Sequence, residues 1–390
     1  MDSRVATQED SPVSHNRTQG AAGPSVQTPV ISNPVLYYGN FRDVLSSSGF
    51  LFPQPVTGSD PNVTTPRVMN FHTSIQQNVG FGTVVDVAYV GSLGRNLLWR
   101  RLLDPIPLGA NFNPANANPT NPRVPLSPVF LRRYQGYSGV TYAEWASSSN
   151  YHSLQVTANR RFARNLEFGV AWTWSKAMDF NDADGDQISS LVPIRVWNYG
   201  LASFDRTHVL KVNWLWSVSR APWRHPVVDR VVNHWQVSGI ASFVSGAPAS
   251  VGYSFVTATD ITGTSDLGAR IVVTGNPVLP KGDRTFSQNF QASVFRPPQV
   301  NTVGNSARYI LRGPGVNNWD LSVFKNVVVR EPVQVQYRLE IYNAFNHTQF
   351  GGWDTAARFD ANGNQVNARL GEATSARSPR QIQMGLKIIF

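Results

Sequence analysis

Leu166-Glu167-Phe168-Gly169-Val170-Ala171-Trp172-Thr173-Trp174-Ser175 decides the fold. Every second residue (Leu166, Phe168, Val170, Trp172, Trp174) is large and apolar, while Glu167, Gly169, Ala171, Thr173 and Ser175 fall between them. A helix would scatter the five large residues around its circumference; a strand sets them all on one side. Just upstream, His152, Leu154, Val156, Ala158, Arg160 and Phe162 alternate with polar residues, and only Ala163, Arg164 and Asn165 intervene. The two segments therefore read as a hairpin.

The same period recurs in both directions. Upstream lie a weaker segment at Met69–Asn78 and then Thr83, Val85, Val87 and Tyr89. Downstream come the sets His208 to Trp216, Trp235 to Phe243, Trp319 to Val323, Val333 to Ile341 and Ile382 to Phe390. This predicts about nine strands. The stretch from Gly246 to Val316 has room for two more, near Val251–Phe255 and Arg270–Val273.

Such strands serve either a soluble sandwich, with the apolar face inward, or a membrane barrel, with the apolar face in lipid and a wet interior. Three features favour the barrel. The connections alternate between a few residues and long stretches, as tight periplasmic turns and long outer loops do. The expected outer loops are Ser92–Asn150, Ala177–Asp205, Gly246–Asn317 and Ala344–Pro379. Aromatic residues sit at strand ends, predicting one girdle with Trp214, Trp216 and Trp235 and a second with Trp172 and Trp174. Glu167, Lys211, Arg338, Glu340 and Lys387 fall in mid-strand on the polar face, where a watery lumen holds charge at little cost. Arg160 is the exception on the apolar register, close enough to the periplasmic end to snorkel.

Composition narrows the choice. The 390 residues include 15% charged residues, 30 Gly and 26 Pro, well below the usual charge content of a soluble domain. The absence of cysteine excludes a disulfide scaffold, a thiolate zinc site and a Cys nucleophile. No apolar run reaches the length of a spanning helix, and the first ten residues have no apolar core of a secretory signal. The net charge of +10 is spread along the chain without a run of four basic residues, so no nucleic-acid partner is expected.

Several consecutive stretches carry a family resemblance. They include Val85-Asp86-Val87-Ala88-Tyr89-Val90-Gly91-Ser92, Tyr151-His152-Ser153-Leu154-Gln155-Val156, Trp172-Thr173-Trp174-Ser175-Lys176 and Ile310-Leu311-Arg312-Gly313-Pro314-Gly315-Val316-Asn317-Asn318-Trp319. Phe324-Lys325-Asn326, Glu340-Ile341-Tyr342-Asn343-Ala344-Phe345-Asn346-His347-Thr348-Gln349-Phe350-Gly351 and the terminal Gly385-Leu386-Lys387-Ile388-Ile389-Phe390 complete the set. In these stretches, over roughly residues 60 to 390, the chain resembles the C-terminal half of Oar-like TonB-dependent receptors. The resemblance implies an all-β, antiparallel transmembrane barrel in the cell outer membrane, part of a 22-stranded barrel gated by a plug. It assigns residues 1–66 to an outer loop or partial barrel segment and 67–390 to the C-terminal barrel segment. It further implies that Phe390 is read by the barrel-assembly machinery. No signal peptide, plug or TonB box is recognisable, so the chain is expected to be a fragment, with TonB a partner only of a longer chain.

Other motifs read blandly. Asp179, Asp182, Asp184 and Asp186 cluster in one outer loop but miss the calcium-loop spacing, because Gly185 falls too early. The seven histidines show no metal spacing, and no G-x-S-x-G, H-E-x-x-H or Walker A pattern occurs. No cofactor and no catalysis are expected. The reading is a transporter or receptor barrel in contact with outer-membrane lipid, its ligand unspecified. The rival is a soluble secreted all-β carbohydrate-binding or hydrolase domain.

Overall fold

The computed structural model of the chain describes residues 13–15, 54–134, 137–219, 226–330 and 333–390. Its spine is a run of nine long strands: β1 (Arg67–Gly80), β2 (Thr83–Leu102), β3 (Tyr137–Ala163), β4 (Leu166–Asp179), β5 (His208–Ser217), β6 (Trp235–Val244), β7 (Val316–Arg330), β8 (Val333–Tyr342) and β9 (Gln381–Ile389). Each pairs antiparallel with the next in chain order. Four short segments join the same 13-stranded sheet; among them Gln54–Ser59 runs parallel to the start of β3 and pairs with Val13–His15. Of the residues assigned from sequence to the segment 1–66, most lie outside the described residues.

Residues directly opposite one another share a face, so the register can be followed across the sheet. One row runs Ala158, Val170, Val212, Ala241, Trp319. A second runs Leu166, Trp216, Val237, Val323, Leu339, Met384. No one-residue slip intervenes, so the apolar residues of all these strands stay on one face. Among the described residues nothing packs on that face as a second layer: Ile75, Trp174 and Leu386 are 75%, 53% and 70% exposed. A soluble sandwich buries such residues between two sheets; here they form one continuous apolar surface of the kind lipid covers.

Three of the four turns at one end are tight. Arg164 and Asn165 both take positive φ (51° and 66°), the geometry of a two-residue turn that follows the twist of its strands. At the other end the sheet grows beyond any membrane. β2 has 20 residues and β3 27, against the roughly 9–11 that cross a bilayer. This corrects the expected loop Ser92–Asn150: strand continues to Leu102 and resumes at Tyr137. There the connections pack on the sheet, with Phe180 edge-on to Trp99 at 5.3 Å and Trp99, Ala143 and Ser147 buried, so no single face has to be apolar and the alternation lapses while the backbone ladder persists.

β1 pairs only with β2 and β9 only with β8 among the described residues, and all their side chains are exposed. The sheet is thus open at both edges. Eight antiparallel steps separate β1 from β9, so the two edge strands run in the same direction. Closing this sheet with antiparallel pairs alone requires an odd number of strands between them.

The two extra strands expected between Gly246 and Val316 form, but not in the sheet. Gly252–Phe255 pairs parallel with Ala356–Phe359, and Val272–Val273 pairs antiparallel with Phe295–Arg296. They belong to a separate unit at the far end of the sheet. Its core is Val251, Ile271, Phe290, Val294, Phe295, Leu311, Ala357, Phe359 and Leu370, none of them in the nine long strands. The connections before β7 and before β9 therefore fold together as one cap. Where they cross back to the sheet, a Cβ on Gly246 would lie 1.8 Å from the Gly313 carbonyl oxygen, an approach open only to glycine.

Candidate functional site

The face of the sheet opposite the apolar band carries all five charged residues singled out in the sequence. Glu167 and Glu340 share one cross-strand row, Glu167, Leu215, Ser238, Ser322, Glu340, Gln383. Lys211 lies in the row Asp86, Thr157, Ala171, Lys211, Ser242, Asn318. Arg338 stands opposite Gly385, and Lys387 opposite Gln336. Between β8 and β9 these residues line a recess of about 280 Å³ with Gln336, Arg338, Glu340, Gln383, Gly385 and Lys387 on its walls. Arg338 sits 3.5 Å from Glu340 and donates to the Gln336 side chain at 3.3 Å; Gln336 in turn donates to Asn326 at 2.8 Å. Val84, Leu215, Ile240 and Phe324 interrupt the polar face. This is a hydrogen-bonding wall with balanced charge, suited to polar solutes and water.

The aromatic residues occupy two levels of the apolar face. Trp216 stands opposite Leu166 and Trp214 opposite Phe168, with Trp235 beyond them at the tight-turn end. Trp172 and Trp174 lie six and eight residues above Leu166, about 20–26 Å along the strand. His208 stacks on both, its ring 6.0 Å from Trp172 and 6.5 Å from Trp174. Tyr89 continues that upper level, bonding His152 Nδ1 at 2.8 Å. Arg160 turns its guanidinium down to the Ala163 carbonyl oxygen at 3.1 Å, away from the middle of the band. Phe390 lies one residue beyond β9 and is 92% exposed.

The cap is stitched to neighbouring connections by charged contacts that periodicity does not reveal. Arg308 reaches Asp179 at 2.5 Å and Asp182 at 2.6 Å. Arg270 stacks 3.9 Å over the Trp197 ring and donates to its carbonyl oxygen at 2.8 Å. Arg132 grips Asp266 with two bonds of 2.8 and 2.9 Å. Asp182 also accepts the Ser203 amide at 2.8 Å. Burial pushes its carboxyl up, but the Ser203 amide and Arg308 outweigh that and hold it below its ordinary value. Asp179 and Asp182 of the aspartate cluster thus form an arginine clasp, and no group of side chains among the described residues is arranged to hold a metal ion. A smaller cavity of about 200 Å³ opens between cap and sheet, with Arg284, Tyr309, Arg312 and Trp353 in its walls.

A family model described as an outer membrane beta barrel domain matches residues 3–383. A comparison with curated proteins found no match. Among solved structures, the outer membrane transporter YddB from Escherichia coli is 8% identical with a TM-score of 0.40, over 85% of this chain and 33% of that one. The FrpB iron transporter from Neisseria meningitidis (F3-3 variant) is 11% identical with a TM-score of 0.37, over 85% and 32%. The siderophore receptor PiuA from Acinetobacter baumannii is 8% identical with a TM-score of 0.32, over 85% and 34%. The chain spans about a third of the length of these structures.

Proposed function

The chain belongs to the outer membrane beta barrel domain family and is a protein of the outer membrane, and on that premise we propose that it forms the C-terminal barrel segment of a TonB-dependent, Oar-like receptor. The cap and outer connections capture a ligand, and the polar face with Glu167, Lys211, Arg338, Glu340 and Lys387 lines its passage. Residues 67–390 supply the barrel segment. The apolar face meets lipid, and Phe390 serves recognition by the barrel-assembly machinery. The protein acts by binding and passage, not by catalysis.

One observation carries this reading: an unbroken register that keeps apolar and charged side chains on opposite faces, with a folded cap at one end. The open, co-directional edges β1 and β9 favour a larger barrel, because unpaired backbone groups in hydrocarbon cost several kcal/mol each. The soluble rival leaves the exposed apolar band without a covering layer.

The test is growth of a strain lacking the gene against its parent on a panel of ferric chelates and oligosaccharides as limiting nutrients. Each comparison is repeated with TonB depleted. A nutrient whose use needs both the gene and TonB supports the reading. Equal growth throughout, with the protein present in the parent's outer membrane, overturns the transport role.

A further inference from the structure

Lys325 breaks the pattern of its own face. It stands between Trp235 and Tyr337 in the register, with Leu386 next in the row, so its side chain leaves β7 on the apolar side at the tight-turn end. Asp229 is the carboxylate that acts on it electrostatically. Its ammonium donates to the Val231 and Asn233 carbonyl oxygens at 2.6 and 2.7 Å, and lies 4.6 Å over the Trp235 ring. Trp235 Nε1 also donates to the Val231 carbonyl oxygen, at 3.0 Å.

Val231 lies in the last turn of the short helix Pro226–Val232, in the connection between β5 and β6. A lysine near a helix C-terminus satisfies carbonyls the helix leaves free and complements its dipole. Here the donor comes from the apolar face of the sheet, so the helix end is fixed on the side that faces lipid. Asn233 caps the same end internally, bonding the Asp229 side chain at 2.6 Å. Despite these bonds, Val231 and Val232 are 63% and 41% exposed. These two exposed valines lie next to Trp235, which stands on the apolar face.

We propose that the helix Pro226–Val232 is an in-plane membrane anchor, lying in the bilayer interface at the tight-turn end and tethered to the barrel by Lys325. Its occupant is phospholipid: the exposed valines enter the boundary between headgroups and acyl chains, as the apolar faces of interfacial helices do. Continuity with the lipid-facing rows through Trp235 and Tyr337 argues for lipid over a protein partner. Lys325 is thereby retained on an apolar face because its charge is spent on helix carbonyls and an aromatic ring.

The sequence contains no cysteine, so single cysteines can be spin-labelled without background. Labels at Val231→Cys and Val232→Cys, in the full chain carried in native outer-membrane nanodiscs, are compared for collision with oxygen and with a water-soluble nickel chelate. Leu386→Cys on the apolar band and Val366→Cys on the cap serve as the lipid and water references. The oxygen-to-nickel ratio at 231 and 232 is expected several-fold above that at 366, approaching that at 386. A ratio equal to that at 366 places the helix in water and overturns the proposal. Shielding from both reagents means a protein cover and overturns it equally. Adding Lys325→Met, which keeps the stem but removes the donors, is expected to lower the ratio at 231 toward the water reference and leave 386 unchanged. An unchanged ratio at 231 would refute the tether.

Discussion

Arg308 Nη2 lies 2.6 Å from Asp182 Oδ2, joining the connection before β7 to the one after β4. The same guanidinium holds Asp179 at 2.5 Å, and all three side chains are largely withdrawn from water. Removing the cation leaves two carboxylates facing each other with their desolvation uncompensated. Arg308→Ala should destabilise the cap by about 1–3 kcal/mol, less than a fully buried pair because Asp182 keeps some solvent. Hydrogen exchange at the Ala202–Asp205 amides should rise while the amides of β5 and β6 stay protected. Unchanged exchange there would mean that the clasp contributes nothing.

The pH dependence of the Asp182 half of that clasp has a definite sign, whereas burial raises Asp179 and that half runs the opposite way. Asp182 titrates below its ordinary value, so its contribution is complete above the ordinary carboxylate range, about 4, and is lost as pH falls through the lower folded value. The part of the cap's protease sensitivity that depends on Asp182 should therefore stay level from neutral pH to about 5 and climb at lower pH. Asp182→Asn should weaken the cap at neutral pH and flatten that acid limb. An acid limb of the same size in the variant would assign it to other groups.

Val170 and Ala171 are adjacent but belong to opposite faces: Val170 stands in the row of Val212 and Ala241, Ala171 in the row of Lys211. Val170→Asp puts a charge on the lipid face, at a cost of about 1–3 kcal/mol for an acidic side chain at depth. It should abolish the folded, heat-modifiable form in outer-membrane fractions. Ala171→Asp should assemble normally. Equal behaviour of the two would show that the faces are assigned wrongly.

The contrast between those neighbours explains how much was legible. Within the lipid-crossing part, every strand must separate its two faces, so Leu166 to Trp174 or Val333 to Ile341 announces itself. Above the bilayer that demand ends, and Ser92–Leu102 with Tyr137–Asn150 hides its strands behind Gly94, Arg95 and Asn96. The cap is hidden for another reason. Its strands are two to four residues long and their partners are remote, as with Gly252 and Ala356, so no local period exists to read. Lys325 could be seen as an apolar-register charge, but the helix carbonyls that accept from it lie in another connection. Nothing in the alternation of β7 points there.

Phe290 tests whether the cap is a unit of its own. It is fully buried, edge-on to Phe295 at 5.8 Å and tilted against Trp353 at 6.2 Å, so it joins segments from both cap connections. Phe290→Ala removes a ring that the surrounding backbone cannot collapse to replace, at a cost of about 3–5 kcal/mol. The sheet contributes none of the core residues around it, so the loss should fall on the cap alone. Limited proteolysis of the variant in outer membranes should cut between Gly246 and Gly315, while the membrane-protected strands keep the heat-modifiable shift of the parent. Loss of both together would mean that cap and sheet fold as one cooperative body, and that the outer connections are required for barrel assembly.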